Sequence, residues 1–356
     1  MVEWKKLGEI CEIGTGANNR EDACDDGLYP FFVRSQEVLR INEYLFNEEA
    51  ILIPGEGGIG DIFHYFNGKY GLHQRTYRVH PISDSVYGKY IYYYLFANFK
   101  CYINKKSYKS TAASIRKPML TDFPISIPSL SEQQRIVSIL DTFTSSISNL
   151  KQQIEERRKQ YEYERDLLLD LEGKEGVEMK KLGDFAEIGT GSSNTQDELE
   201  SGRYPFFVRS QIVKWKDDYE FDEIAIITSG DGVGVGKVLH YYEGKYALHQ
   251  RAYRIHVEND SIVPKFIFYF MQKDFYWYIM SNAYAASVTS VRRPMLINYP
   301  IPIPPLSTQS RIVSILDTFE QSISNLEEQL AMREKQYEYY RNQLLTFEGE
   351  EERGKT

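Results

Sequence analysis

SEQQRIVSILDTFTSSISNLKQQIEERRKQYEYERDLLLDL, residues 131–171, contains no glycine and no proline. Its apolar residues recur in steps of seven. One series is Leu140, Ile147, Ile154, Tyr161, Leu168, and the offset series is Ile136, Phe143, Leu150, Arg157, Glu164, Leu171. This is a heptad pattern with two polar interruptions, which predicts a long helix that needs a helical partner. Ser131 with Gln134 three residues later fits a capping box, and Pro128 marks the end of a preceding strand. At 1.5 Å per residue such a helix spans on the order of 60 Å.

The stretch is written twice. RIVSILDTF at 135–143 returns unchanged at 311–319, and the seam returns as Ile312, Leu316, Phe319, Ile323, Leu326, Leu330, Arg333, Tyr337, Tyr340, Leu344 and Phe347. The repetition reaches well beyond the helix. EIGTG at 12–16 returns at 187–191, YPFFVRSQ at 29–36 at 204–211, LHQR at 72–75 at 248–251, and KPML at 117–120 as RPML at 293–296. The offset is 175 up to a glycine-rich loop and 176 after it, because IPGEGGIGDIF is matched by the longer ITSGDGVGVGKV. The chain is therefore a duplicated domain of about 175 residues and not a solenoid.

Each copy opens with a globular part, 1–130 and 179–306. AILIP, RTYRVH and PISIP, with IAIIT, RAYRIH and PIPIP in the second copy, read as strands. KYIYYYLFANFKCYI and KFIFYFMQKDFYWYIM read as aromatic-rich helices on a sheet. The expected fold class is mixed α/β: two similar heads and two long helices, 131–172 and 307–347, with a linker at 173–178 and a tail at 348–356. Near-identical seams in one chain are most simply satisfied by each other, as an antiparallel coiled coil with pseudo-twofold symmetry. The competing arrangement packs each helix only on its own head.

The chain has 356 residues, 42% hydrophobic, with 28 Tyr and 19 Phe, enough for two ordinary domains. No apolar run approaches the roughly 20 residues a bilayer span needs, and MVEWKKLGEI has no signal-peptide core. Cys11, Cys24 and Cys101 lie in the first third without CxxC spacing, which argues against a disulfide framework or zinc site. A reduced, soluble, cytoplasmic protein is expected. Net charge is −9, but residues 1–130 carry 15 basic and 15 acidic side chains and residues 179–306 carry 14 and 15. The acidic excess sits in the helices and tails, so the heads are free to hold a basic face.

Two similar heads on a stiff spacer suit a target with approximate twofold symmetry, such as double-stranded DNA. Candidate readers repeat: Arg34, Ser35, Gln36 with Arg209, Ser210, Gln211, and Gln74, Arg75 with Gln250, Arg251. Arginine and glutamine make bidentate contacts to guanine and adenine edges. Lys105, Lys106, Lys109 and Arg116, and Ser287, Thr289 and Arg292, lie in stretches of Ser, Thr and basic residues suited to phosphate and groove contact. The plainer reading is that Arg34 and Arg75 pair with carboxylates and brace the fold.

Catalytic signatures are missing. GDGVGVG at 230–236 leads into KVLHYYEGKYALHQR, strand and turn rather than a helix, and GEGGIG breaks the glycine spacing, against a dinucleotide or AdoMet loop. The six histidines form three repeated pairs, His64 and His240, His73 and His249, His80 and His256. No cysteine or carboxylate cluster accompanies them, which favours fold or DNA contact over metal. There is no P-loop, GxSxG elbow or adenine-methylase motif.

The junction IPSLSEQQRIVSILD at 127–141 resembles the P-x-L-x-E-Q-x-x-I start of the conserved helix in specificity subunits of type I restriction-modification systems, and the likeness covers essentially the whole chain. IPPLSTQSRIVSILD in the second copy departs from it, with Thr308 in place of Glu, which weakens the cap expected there. The resemblance implies two target-recognition domains, each reading half of a bipartite site. It implies that the helices set the spacer and bind two methylase subunits carrying AdoMet, with motor-nuclease subunits using ATP and magnesium joining for restriction. It also implies no catalysis, cofactor or metal in this chain itself. The rival expectations are a coiled-coil scaffold pairing two partner proteins without DNA, and a component of a type IIB-like system. Because the heads are so alike, their half-sites are expected to be related, in part palindromic. Met179, followed by KKLGDF, mirrors the start of the first copy and reads more simply as a linker methionine than as the start of a half-length product.

Overall fold

The computed structural model describes residues 2–106, 114–282 and 290–347. The first copy contains β1 (Glu3–Lys6), α1 (Leu7–Ile10), β2 (Cys11–Thr15), β3 (Tyr29–Phe32), β4 (Val38–Ile41), β5 (Phe46–Pro54), β6 (His64–Leu72), β7 (Thr76–Pro81), α2 (Gly88–Lys106), α3 (Lys117–Thr121), β8 (Pro124–Ile127) and α4 (Leu130–Leu168). The second repeats them, with a 3-10 turn (Leu182–Asp184) in place of α1, as β9 (Glu178–Lys181), β10 (Ala186–Thr190), β11 (Tyr204–Phe207), β12 (Lys214–Lys216), β13 (Phe221–Ser229), β14 (Leu239–Leu248), β15 (Ala252–Val257), α5 (Pro264–Asn282), α6 (Arg293–Ile297), β16 (Pro300–Ile303) and α7 (Leu306–Leu345).

Each head is built on a six-stranded mixed sheet, ordered β2-β7-β5-β6-β3-β4 in the first copy and β10-β15-β13-β14-β11-β12 in the second. Among the described strands, only the β3–β6 and β11–β14 pairings are parallel. A two-stranded ribbon, β1 with β8 or β9 with β16, brings the start of each head to the foot of its long helix. The run AILI in β5 is apolar throughout because both faces are covered. Ile51 and Ile53 face the main core with α2, while Ala50 and Leu52 face a second cluster with Phe32, Tyr70 and Leu72. Ala225, Ile226 and Ile227 alternate in the same way in β13.

The chain divides into two units, residues 1–151 with 328–356, and residues 152–327. In the first, Ile136, Val137 and Leu140 of α4 and Leu345 of α7 are buried in the head's own core, with Tyr337 and Leu344 packed against it. Phe143 stacks on Tyr340 at 5.3 Å and Lys151 pairs with Glu334 at 2.9 Å, so the two helical segments run antiparallel. In the second unit Ile312 and Leu316 of α7 enter the core beside Tyr161 and Leu168 of α4. There Arg158 pairs with Glu327 and Tyr161 lies against Phe319, again antiparallel. Helix packing on the parent head alone is thereby excluded, because each core takes in a segment of the other copy's helix. The remaining seam positions Ile147, Leu150, Ile323, Leu326 and Leu330 are half-buried and Ile154 is buried.

Two polar positions in the heptads, Arg157 and Arg333, have a physical role. The Arg333 guanidinium lies over the Phe143 ring and that of Arg157 over Phe319, both at 5.7 Å. Two helical expectations need correction. The first helix ends at Leu168 rather than 172, because Leu169 and Leu171 turn into the second unit's core, so Leu171 is not a helical seam residue. The capping box at Ser131 and Gln134 does not form. Ser129 precedes the helix and its Oγ accepts the Glu132 N–H at 3.4 Å, while Gln134 is exposed. In the second copy Pro305 takes the place of Ser129, so the missing side-chain cap follows from that proline rather than from Thr308.

The neighbouring Gln133 is fully buried and ties α4 to its head. Its Nε2 donates to the carbonyls of Pro128 at 2.9 Å and Ser85 at 3.0 Å, and its Oε1 accepts the Tyr87 N–H at 2.8 Å. Gln309 repeats this with Pro304, Ser261 and Val263. Among the described residues no helix is long and apolar enough to cross a membrane.

Candidate nucleic-acid interface

The repeated motifs converge at the ends of neighbouring strands in each head. In the first unit the chain leaves β3 through Val33, Arg34, Ser35 and Gln36, and the His73 N–H donates to the Phe32 carbonyl at 3.0 Å, fixing the turn His73–Arg75 beside it. The Gly55 N–H donates to the Arg75 carbonyl at 2.8 Å, anchoring the glycine-rich loop, and the Ile115 N–H donates to the Gly55 carbonyl at 2.7 Å, placing Arg116 next to that loop. Gly16 closes the cluster. A Cβ there would stand 1.9 Å from the Leu72 carbonyl oxygen, so the GTG motif is a close backbone crossing that only glycine permits. Gly191 does the same at Leu248. The crossing lets the Gln74 N–H bond the Asn18 carbonyl at 2.9 Å and Gln74 Nε2 reach Asn19 Oδ1 at 2.6 Å.

At the centre of the cluster one carboxylate holds two arginines. Arg34 Nη1 and Arg75 Nη1 both reach Glu56 Oε2, at 3.2 and 2.8 Å. In the second unit Arg209 and Arg251 reach Asp231 at 2.7 and 3.3 Å. The hydrogen bond from Arg75, helped by Arg34, holds the Glu56 carboxyl below its ordinary range. At Asp231 burial pushes upward, but the bonds and charges of Arg209 and Arg251 outweigh it and the carboxyl again lies low. Each group thus keeps a net positive charge. The side chains of Arg34 and Arg75 are 44% and 56% exposed, so most guanidinium donors face solvent in a preset orientation. The bracing role and the reading role are compatible: one donor of each arginine is used by the carboxylate and the others are free for a phosphate or a guanine edge.

His73 and His249 sit behind these pairs, buried. Burial and the flanking arginine charges push both imidazoles below their usual value. Each accepts the N–H of its arginine on Nδ1 at 3.0 Å, so the neutral ring carries its proton on Nε2. Among the described residues no group of three or more His, Cys, Asp or Glu is placed to hold a metal ion.

Other candidate readers fare unequally. Gln36, Gln74, Gln211, Gln250, Arg116, Arg292 and Lys105 are exposed. Ser35 and Ser210 are half-buried and donate their hydroxyls to the carbonyls of Glu37 and Ile212, which commits them to the turn. The Lys106 side chain, Lys109, Ser287 and Thr289 lie outside the described residues. Sequence reading did not single out Asn19, Glu56 or Asp231. The signal for Glu56 and Asp231 was present as a carboxylate at matched positions in two otherwise unlike glycine-rich loops. GDGVGVG runs into β14, as expected of a loop that does not open a helix.

Comparison with known proteins agrees with this architecture. The family model for the type I restriction modification DNA specificity domain matches residues 1–157 and 174–332. The EcoDI specificity subunit of Escherichia coli is 34% identical over 157 residues, 44% of this chain, which spans about a third (34%) of that protein. A type I specificity subunit of Haemophilus influenzae is 27% identical over 380 aligned positions, 97% of this chain and 96% of that one. In structure, the S subunit of a type I system from M. genitalium superposes with a TM-score of 0.71 at 16% identity, covering 98% of this chain and 96% of that chain.

Proposed function

We infer the function from the family: this chain belongs to the type I restriction-modification DNA specificity family, and it acts as the sequence-recognising subunit of such a system. Each head reads one half of a bipartite site on double-stranded DNA. The observation that carries this reading is the arginine pair on a shared carboxylate, built at equivalent loops of both heads. Arg34 and Arg75, with Arg116, Gln36 and Gln74 around them, contact the first half-site. Arg209, Arg251, Arg292, Gln211 and Gln250 contact the second. Lys105, Lys106, Lys109, Ser287 and Thr289 follow the phosphates.

The long helices hold the heads at a set spacing and dock two methylase subunits. The chain contributes recognition and no reaction. AdoMet belongs to the methylase partners, and ATP with Mg²⁺ to motor-nuclease subunits where these join. The assembly works in the cytoplasm. With net charge −9, the chain alone binds DNA weakly, since phosphate neutralisation supplies most non-specific affinity. The test is retardation of a duplex carrying the site, with and without methylase. Specific retardation only in the complex supports the reading. A stable complex with no preference among duplexes refutes it.

A further inference from the structure

The two heads keep register at every position but one. From the first strand to the last helix the copies differ in length only in the glycine-rich loop, and the structure identifies the extra residue. Gly57 and Gly232 both have positive φ, +70° and +83°. Beyond them, Asp61 and Ile62 donate their N–H groups to the Gly58 carbonyl, as Lys237 and Val238 do to that of Gly234. Gly58 therefore corresponds to Gly234, and the residue between Gly232 and Gly234, Val233, has no counterpart in the first head.

Val233 is fully exposed, at 102% of its reference area, and its neighbour Gly232 has nothing within 4 Å of where a Cβ would stand. The loop beneath it is firmly built. Asp231 is held by Arg209 and Arg251, the Ser229 hydroxyl donates to the Asp231 carbonyl at 2.7 Å, and Gly230 accepts from the Val291 N–H. An isolated exposed valine is ordinary on a surface. Here it projects two residues beyond the carboxylate that organises the arginine pair, on the one loop whose length distinguishes the heads.

We propose that Val233 is a specificity-determining residue of the second recognition domain: its methyl groups pack against the C5-methyl of a thymine in the major groove, at a position the first domain does not read with this loop. This rests on the DNA-recognition reading above. Apolar contact with the thymine methyl is a recognised means of distinguishing that base, and Arg209 and Arg251, held by Asp231 two residues before Val233, supply the polar contacts of the same head. The half-sites are then related but unequal, sharing the positions read by the common arginine pair and differing at one thymine.

The full chain is co-expressed with its methylase subunits in a host without adenine methylation, and methyladenine is mapped across the genome. The wild type gives the reference motif. Deletion of Val233, which restores the loop length that the first head already uses, and Val233→Ser are then mapped. Both variants are expected to accept other bases at one thymine of one half-site, with discrimination there falling on the order of 10-fold for two lost methyl contacts, and the other half-site unchanged. If the deletion variant does not accumulate, Val233→Ser decides alone. A clear wild-type motif reproduced without change by the variants overturns the inference and leaves the DNA reading standing. A stable wild-type complex with no bipartite methylation overturns both.

Discussion

Replacing Gln133 tests how each long helix is fastened to its head. The side chain is fully buried and makes three hydrogen bonds, two donated to the carbonyls of Pro128 and Ser85 and one accepted from the Tyr87 N–H. Gln133→Ala removes all three, at about 0.5–1.5 kcal/mol net each, and leaves the Tyr87 N–H without a partner. The summed loss is about 3 kcal/mol, which at a urea m-value of about 2 kcal/mol/M lowers the unfolding midpoint by about 1.5 M. Gln309→Ala should do the same through Pro304, Ser261 and Val263. The decisive control is Gln134→Ala. Gln134 is exposed, so its replacement should stay within about 0.5 kcal/mol. Urea melts followed by circular dichroism read all three variants. The clamp is wrong if Gln133→Ala shifts the midpoint no more than Gln134→Ala does.

Further outcomes follow from the other contacts. Arg34→Ala or Arg75→Ala should weaken retardation of duplexes with an intact first half-site and tolerate changes in that half only. Arg209→Ala or Arg251→Ala should do so for the second half, by about 1–3 kcal/mol where a bidentate base contact is lost; uniform weakening on all sequences would assign these residues to phosphate. Arg333→Ala and Arg157→Ala should each cost about 1 kcal/mol by removing a cation over an aromatic ring in the helix pairing, seen as a lowered melting temperature. An unchanged or raised melting temperature would show those arginines to be passive. Burial lowers the imidazoles of His64 and His240, and burial with neighbouring arginines lowers those of His73 and His249. The unfolded chain therefore takes up these protons first. Stability should be full above about pH 6.5 and fall as pH drops below it, measured as melting temperature between about pH 8 and pH 5. A flat profile in that window would contradict the buried, neutral assignment.

Much of this was legible in the sequence because duplication supplies an internal control. A stretch such as RIVSILDTF, identical in both copies, could be aligned without outside information, and the heptad series then predicted an antiparallel helix pair. The aromatic helices α2 and α5 and the strands around AILIP and IAIIT followed from periodicity and length. What the sequence hid were contacts between residues far apart in it. Gln133 looked like its neighbour Gln134 because capping rules act locally, whereas its partners are Ser85 and Tyr87 across the head. Arg157 and Arg333 looked like defects in a seam because an apolar pattern does not reveal a ring awaiting a cation. Glu56 and Asp231 were passed over because their arginine partners lie 19 to 22 residues away in the chain, although each lies at the centre of the arginine cluster.

The most direct test of two heads reading two halves is the methylation pattern of the wild-type complex. The chain is co-expressed with its methylase subunits in a methylation-free host and methyladenine is mapped genome-wide. The account predicts one bipartite motif with a fixed gap and with halves that share bases. Stable complex formation with no new methylation, or methylation at an undivided site, would contradict it.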